Sequence, residues 1–129
     1  MQKKNKLKVA IIGSGYMAHE YAKVIKKLNN CEINGVFSRR YNRAKLFSKN
    51  YKIKIVGKSI KDLYSRTQAH AVIIAISPDQ IKKISKETFK FPWISLIEKP
   101  IGINLKEADS INKLAKKLKH LSYIALNRR

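Results

Sequence analysis

Two glycines and an alanine follow the first apolar stretch of the chain at the spacing Gly-x-Gly-x-x-Ala. The stretch ends at Ile12, and the six residues after it are Gly13, Ser14, Gly15, Tyr16, Met17 and Ala18. In such a turn the first glycine allows a tight bend, the second lets the backbone approach a pyrophosphate, and the third small residue lets a helix cross close to a sheet. The helix that begins there offers amide donors and the positive end of its dipole. The spacing therefore predicts a dinucleotide phosphate site, with a glycine turn that binds no ligand as the alternative.

A hydroxyl and two guanidinium groups follow the second predicted strand, immediately after Phe37. They belong to Ser38, Arg39 and Arg40. In dinucleotide sites of this kind an acidic side chain at this point bonds the two ribose hydroxyls of NAD, and this chain has no acid there. Guanidinium groups instead make charge-assisted hydrogen bonds to a phosphate. The segment therefore favours NADP over NAD, and the alternative is that both arginines are simply solvated in a basic chain.

Apolar strands and amphipathic helices alternate along the chain and would position these two segments. Strands are predicted at residues 7–12, 32–37, 53–56, 71–76, 93–97 and 122–126. Helices are predicted at residues 16–29, 42–50, 78–89 and 104–118, with a capped helical turn at residues 59–62. Six strands joined by helices predict a single α/β domain with a doubly wound parallel sheet, which is a Rossmann-type NAD(P)-binding fold.

Two of the predicted helices have recognisable starts. Ser77 suits the N-cap position and Pro78 the first helical position, so the fourth strand should turn straight into a helix. Asn104 and Glu107 have the spacing of a capping box. The first and last helices each carry an apolar stripe that should face the core. The stripe residues are Ala18, Ala22, Ile25 and Leu28 on the first helix, and Leu105, Ala108, Ile111, Leu114, Ala115 and Leu118 on the last.

Length and composition limit the classes of protein to consider. The chain has 129 residues, enough for one domain with a core but not for two. No segment approaches the roughly 18 uninterrupted apolar residues of a membrane span, and the basic start runs directly into the first strand, so we expect no membrane partner and no targeting segment. One half-buried cysteine, Cys31, and three scattered histidines favour neither disulfides nor a metal site. His19 could face the cofactor, but we interpret it, His70 and His120 as surface or packing residues, and we expect a cytoplasmic protein.

The net charge of +21 comes from 29 Lys and Arg residues against 8 Asp and Glu residues. A basic surface attracts polyanions, so nucleic-acid binding is one interpretation. The basic residues, however, are spread over almost every predicted helix and are not gathered with aromatic residues on one element. We therefore favour a solvated lysine-rich surface and keep nucleic-acid binding as the less favoured alternative.

The whole chain resembles the glucose-fructose oxidoreductase, inositol dehydrogenase and MocA family (Gfo/Idh/MocA). The resemblance is carried by residues 8–18, 37–40 with 44, 71–78, 98–102 and 127–129. Its most specific part is the sequence Glu98-Lys99-Pro100 after the fifth strand. Two positions depart from the common family pattern, since Lys82 stands where a histidine is frequent and Pro92 where a glycine is frequent. These departures concern substrate contacts and leave the expected fold unchanged.

The resemblance implies roles for several residues at the carboxyl ends of the later strands. Lys99 would contact nicotinamide ribose and substrate and assist proton transfer, and Glu98 would help to hold the cofactor. Ser77 and Pro78 would line the nicotinamide side of the site. Asn127, with Arg128 beside it, would lie near cofactor or substrate.

The resemblance further implies an oxidoreductase that moves hydride between nicotinamide and a sugar-type or polyol substrate. Members of the family continue into a second α/β domain that supplies the substrate pocket and the oligomer interface, whereas this chain stops at Arg129. We therefore expect this truncated chain to bind the dinucleotide without turnover unless a second domain is supplied. The alternative from another class is a non-catalytic module that senses a nucleotide, or that docks a partner or oligomerises through the exposed edge of the sheet.

Overall fold

Strands and helices alternate throughout the structure, a computed structural model that describes residues 5–125. The strands are β1 (Leu7–Ile12), β2 (Cys31–Phe37), β3 (Ile55–Val56), β4 (Ala71–Ile74), β5 (Ile94–Glu98) and β6 (Ser122–Ala125). The helices are α1 (Tyr16–Lys26), α2 (Tyr41–Tyr51), α3 (Ile60–Thr67), α4 (Pro78–Thr88) and α5 (Leu105–Lys117). The predicted sixth strand includes Leu126, which lies outside the described residues.

All six strands form one parallel sheet in the order β3-β2-β1-β4-β5-β6. The chain builds outward from β1 to β3, crosses back to place β4 on the other side of β1, and builds outward again to β6. The order therefore reverses between β1 and β4, where α/β folds bind their ligands at the carboxyl ends of the strands. The prediction of a doubly wound parallel sheet is confirmed.

Helices cover the sheet on both faces, which explains the unbroken apolar run from Val9 to Ile12 in β1. Val9 and Ile11 pack into a core with α1 and α2, while Ala10 and Ile12 pack into a second core with α3, α4 and α5. These four side chains are all buried. A strand that is covered on both faces has no polar face to present, so alternation between polar and apolar residues disappears.

Helix α1 ends one turn earlier than predicted. The amide groups of Lys27 and Leu28 bond to carbonyl groups three residues back, at Val24 and Ile25. Hydrogen bonds between residues three apart, instead of four, tighten the last turn and end the helix. As a result Leu28 is half exposed instead of joining the buried stripe of Ala18, Ala22 and Ile25.

The segment around β3 also differs from the prediction. The amide of Ile53 bonds to the carbonyl of Ser48 in the last turn of α2, so the paired part of β3 is reduced to Ile55–Val56. Residues 59–62 begin a helix of eight residues, α3, instead of a single turn. Ser59 caps this helix as predicted, because its Oγ accepts a hydrogen bond of 2.9 Å from the amide of Asp62.

The start of α5 agrees closely with its predicted cap. Asn104 Oδ1 accepts a hydrogen bond of 2.9 Å from the amide of Glu107, and Glu107 Oε1 accepts one of 3.0 Å from the amide of Ile103. The apolar stripe is shorter than predicted: Ile111 and Ala115 are buried, but Leu105 is 85% exposed. The helix therefore packs through its middle turns, and its first turn lies outside the core.

Candidate functional site

Gly13 joins the end of β1 to the ends of both neighbouring strands. Its φ of +126° belongs to a region that other residues rarely adopt. Its amide donates a hydrogen bond of 2.8 Å to the carbonyl of Phe37, at the end of β2. A Cβ atom at this position would lie 2.1 Å from the carbonyl oxygen of Ala75, just beyond β4. Both the backbone conformation at this position and the segment that follows β4 therefore require glycine.

Gly15 is the N-cap of α1, and its φ of −91° suits any residue. Among residues 5–125, a Cβ atom at Gly15 would have no neighbour within 4 Å. No side chain of this part of the chain caps the first turn of α1, and that turn contains no acidic residue. The amide donors at this helix start are therefore left for a ligand, and the bare backbone at Gly15 lets an anion approach them. This arrangement fits the pyrophosphate of a dinucleotide.

The glycine turn is tied to the end of β2 by two serine side chains. Ser14 Oγ and Ser38 Oγ share a hydrogen bond of 3.0 Å, in which either hydroxyl can donate. The bond joins the segment predicted to bind the pyrophosphate to the segment predicted to bind the ribose. Ala18, the third small residue of the motif, is fully buried beneath the turn.

Basic side chains line the cleft beyond the ends of β2 and β3. Arg39 and Arg40 are exposed there, and the structure adds Arg43 of α2 and Lys58, which the sequence analysis did not single out. Arg43 follows Arg40 by three residues, a spacing that places both on one side of the helix start. Lys58 joins them because β3 pairs with β2, a relation that sequence alone does not reveal.

Arg39 is also within electrostatic reach of Asp79, at the start of α4. The hydrogen bond from Ser77 and then that from Gln80, with a contribution from the positive charge of Arg39, lower the pKa of the Asp79 carboxyl. The Asp79 carboxyl therefore ionises more readily than that of an isolated aspartate.

The other end of the cleft contains Glu98 and Lys99, the first two residues of the Glu-Lys-Pro motif. Glu98 ends β5 and is only 7% exposed, while Lys99 is exposed and lines the cleft. The hydroxyl of Tyr21, on α1, donates a hydrogen bond to Glu98 Oε2. Burial, followed by this hydrogen bond and the charge of Glu98, raises the pKa of Tyr21 well above its usual range. Tyr21 therefore keeps its proton and acts as a donor.

A cleft of about 570 Å³ brings the glycine turn, the arginine segment and the Glu-Lys pair together. This volume lies within the roughly 300–1,000 Å³ typical of small-molecule and cofactor sites. Of the residues predicted to bind cofactor, those that line it are Gly13, Ser14, Gly15, Tyr16, Met17, Ser38, Arg39, Arg40, Ser77, Glu98 and Lys99. Pro78 opens α4 beside the cleft without being part of its lining, and Asn127 lies outside the described residues.

One further wall of this cleft was not predicted from the sequence. It is formed by α4, whose residues Gln80, Lys83, Ile84 and Glu87 line the cleft beyond Ser77. Their spacing of three and four residues is that of one helix face. This spacing is visible in the sequence, but the interpretation of a solvated lysine-rich surface included Lys83. The side of α4 that faces the site becomes identifiable once β4 is placed beside β1.

The histidines and the cysteine have contacts away from the cleft. His19 Nδ1 shares a hydrogen bond of 2.7 Å with the Tyr51 hydroxyl, and His70 Nδ1 accepts one of 3.0 Å from the amide of Lys8. His120 Nε2 bonds Ser95 Oγ at 2.7 Å. Cys31 is half-buried. Within residues 5–125 none of these side chains lines the cleft, and no group of three or more His, Cys, Asp or Glu residues is placed to hold a metal ion.

No helix in residues 5–125 has the length and apolarity to cross a membrane.

The fold and the cleft define a class of protein, the Rossmann-type nucleotide-binding domains. A parallel sheet reverses its strand order beside a glycine turn, and that turn leads into a helix with open amide donors. A comparison with protein families narrows this class. The family described as "Oxidoreductase family, NAD-binding Rossmann fold", Gfo/Idh/MocA, matches residues 7–125. The chain therefore belongs to the Gfo/Idh/MocA family and forms its NAD(P)-binding domain.

Individual relatives share this domain. The chain is 28% identical to the glucose-6-phosphate 3-dehydrogenase of Bacillus subtilis (strain 168) over 123 residues, which are 95% of this chain and 34% of that protein. Its fold matches a protein from Desulfitobacterium hafniense DCB-2 described as an NADPH-dependent oxidoreductase, with a TM-score of 0.86 and 23% identity over 94% of this chain and 35% of that one. It also matches the myo-inositol 2-dehydrogenase of Lactobacillus plantarum, with a TM-score of 0.80 and 17% identity over 94% and 36% of the two chains. The chain thus spans about a third of the length of these relatives.

Proposed function

We propose that the cleft binds NADP in preference to NAD. The observation that carries this proposal is the cationic lining at the ends of β2 and β3, where Arg39, Arg40, Arg43 and Lys58 meet without an acidic residue at the end of β2. The 2′-phosphate of NADP would lie among these side chains and Ser38, while the pyrophosphate lies on the start of α1. An acid that bonds both ribose hydroxyls, the usual mark of an NAD site, has no counterpart in this segment.

A calorimetric titration of the chain with NADPH and NADH tests this preference. We expect saturable binding of both, with NADPH tighter, because the 2′-phosphate adds charge-assisted hydrogen bonds. Equal affinities would show that the arginines do not discriminate. Tighter binding of NADH would reverse the proposal.

We also propose that the chain is the cofactor-binding part of an oxidoreductase acting on a sugar-type or polyol substrate. The names of the Bacillus subtilis and Lactobacillus plantarum relatives support this substrate class. Bound NADP(H) would supply hydride transfer at C4 of its nicotinamide. Lys99 Nζ, exposed at the cleft, would move the proton of the substrate hydroxyl, and Ser77, Pro78, Glu98 and Asn127 would contribute to the nicotinamide side.

The substrate pocket would come from a second domain, since the matched region is only about a third of the relatives. The isolated chain of 129 residues should therefore bind NADPH without oxidising or reducing polyols. Adding a second domain from the Bacillus subtilis relative, fused after the Rossmann domain, should give activity that Lys99→Ala removes. Turnover by the isolated chain would contradict this division of labour.

A second candidate function is docking of a partner, or of a second copy, at the outer edge of the sheet. β6 is an edge strand in the described part of the chain, and its Tyr123 and Ile124 are exposed, together with Ile94 on β5. Unpaired strand edges and exposed apolar side chains both favour association. Sedimentation of the chain across a range of concentrations tests self-association. If the chain is a monomer at all concentrations, self-association through β6 is excluded, and only docking of a different partner remains.

A further inference from the structure

The contact between Tyr21 and Glu98 joins two parts of the proposed site that are far apart in sequence. Tyr21 lies on α1, is half-buried, and packs against the core between α1, α2 and the sheet. Its hydroxyl donates to the carboxylate of Glu98, 77 residues further along the chain. No motif in the sequence analysis included Tyr21. The structure alone relates it to the cleft.

Glu98 needs hydrogen-bond donors because its carboxylate is buried. Only 7% of the residue is exposed, and a buried carboxylate is stable only when its oxygens are hydrogen-bonded. A tyrosine hydroxyl is a suitable donor here, because it stays protonated beside the carboxylate. Bonds of this charge-assisted type are stronger than those between neutral groups. The contact therefore has more influence on the position of Glu98 than an ordinary packing contact.

The position of Glu98 determines where Lys99 leaves the sheet. Glu98 is the last residue of β5 and lies opposite Ala125 of β6, and Lys99 is the next residue, exposed at the cleft. Tyr21 belongs to α1, whose N-cap is Gly15, at the proposed pyrophosphate site. Tyr21 lies roughly 9 Å along the helix from that start, at about 1.5 Å per residue. One hydrogen bond therefore links the phosphate-binding helix to the strand that presents Lys99.

We propose that Tyr21 is a positioning residue, whose hydrogen bond to Glu98 fixes Lys99 relative to the phosphate-binding start of α1. The inference rests on the proposed function, because it takes the nicotinamide half of the cofactor to lie beside Lys99. The proposed role of Tyr21 therefore concerns the nicotinamide half of the cofactor only. Loss of the bond should disturb contacts near Lys99 and leave the adenosine and pyrophosphate contacts in place.

Binding of a cofactor and of its fragment distinguishes this role from general packing. NADPH and 2′-phospho-ADP-ribose, which lacks nicotinamide, are titrated into wild type and Tyr21→Phe. We expect Tyr21→Phe to weaken NADPH about tenfold, as for the loss of one charge-assisted bond, and the fragment by less than about twofold. Tyr51→Phe is the matched control, because it also removes a hydroxyl bonded to α1, at His19, but away from the cleft. Equal losses for both ligands, or no loss for either, would overturn the proposal.

Glu98→Gln provides a second variant if Tyr21→Phe does not fold. The amide keeps an acceptor for the Tyr21 hydroxyl but loses the charge, so we expect a smaller loss of NADPH affinity, about threefold, with the fragment again unaffected. In the double variant the combined loss should be less than the sum of the two losses, because both changes weaken the hydrogen bond between Tyr21 and Glu98. Additive losses would contradict a shared role.

Failure of this inference can be distinguished from failure of the proposed function by measurements on the protein without a ligand. If wild type binds NADPH no more tightly than the fragment, the nicotinamide contacts add no net affinity, and that part of the proposed function loses its support. The positioning role is then judged without a ligand, from backbone ¹⁵N relaxation of Lys99. We expect Lys99 to become more mobile in Tyr21→Phe but not in Tyr51→Phe, and unchanged mobility in Tyr21→Phe would overturn the inference.

Discussion

The two glycines of the turn are constrained by different neighbours, although the motif treats them alike. At Gly13 a side chain would meet the carbonyl oxygen of Ala75 and the backbone would be strained. At Gly15 a Cβ atom would meet nothing within 4 Å in the described part of the chain, and the residue lines the cleft. Gly13 is therefore required by the fold itself, whereas Gly15 is required by the ligand that we propose.

Gly13→Ala should destabilise the protein whether or not it binds a dinucleotide. The alanine would have to adopt a φ near +126° and displace the chain after β4. We expect the free energy of unfolding to fall by about 3 kcal/mol or more, measured by urea denaturation. A loss below about 1 kcal/mol would show that the turn relaxes easily.

Arg39 and Arg40 should discriminate between the two cofactors. Replacing both by alanine should weaken NADPH by about 1–3 kcal/mol and NADH by much less, because only NADPH has the 2′-phosphate. The matched control is Lys26→Ala with Lys27→Ala, which removes the same charge at the opposite end of α1. Equal losses for NADPH and NADH in the arginine variant would show that these side chains act only through overall charge.

The place of the motif residues in the cleft could be predicted because each motif is local in sequence. The glycine turn and the arginine pair each occupy adjacent positions, and the structure brings them to one cleft. Lys58 and Tyr21 could not be predicted, because their relation to the cleft depends on which strands are neighbours and on the hydrogen bond that joins α1 to the end of β5. Arg43 could have been predicted from the sequence, because its spacing from Arg40 is that of neighbours on a helix surface.

At the scale of elements, the connection from α5 to β6 contains a half-buried histidine. His120 bonds Ser95 of β5 through Nε2 at 2.7 Å and stacks on Phe89, with 4.5 Å between ring centroids. Burial lowers the pKa of His120 below its ordinary value of 6.5, against the opposing effect of nearby backbone groups at Phe89 and Phe91. The folded protein therefore holds this ring in the neutral form.

This burial predicts a loss of stability in mild acid. As the pH falls through the ordinary value of 6.5, the unfolded chain binds a proton at His120 that the folded chain does not. Stability is complete above that value and decreases below it, down to the lower pKa of the folded state. Urea denaturation between about pH 8 and about pH 5.5 measures the decrease.

His120→Gln should make stability less dependent on pH over this range. His70→Gln is the control for the loss of a histidine at an exposed position away from Ser95 and Phe89. If His120→Gln shows the same decrease as wild type, the titrating group lies elsewhere.

Element types and topology followed from the sequence more reliably than element ends. Continuous apolar strands that alternate with helices allow essentially one arrangement, a parallel sheet covered on both faces. Ends depend on single hydrogen bonds, such as those that close α1 at Lys27 and Leu28 or capture the amide of Ile53. Burial of helix stripes depends on how far each helix overlaps the sheet, which left Leu105 exposed at the first position of α5.

For the molecule as a whole, the charge of +21 bears on every binding experiment. Such a chain will attract duplex DNA at low salt by counterion release, and that attraction falls steeply as salt rises. NADPH carries few charges and is held by directed contacts, so its binding should depend less on salt. We expect DNA binding to disappear between about 50 mM and about 200 mM salt while NADPH binding persists. DNA binding that is tighter than NADPH binding at the higher salt would favour a nucleic-acid-binding function.

The central claim is that the glycine turn binds the phosphates of a dinucleotide, and the NADPH affinity of Gly15→Ala beside wild type tests it most directly. The methyl group has space in the protein, so the fold should lose no more than about 1 kcal/mol, through a weaker N-cap. It would occupy the path by which a pyrophosphate approaches the helix start. We predict saturable NADPH binding by wild type, weakened at least about tenfold in Gly15→Ala with thermal stability nearly unchanged. Equal affinity in the two proteins, or no saturable binding by the folded wild type, would contradict the account.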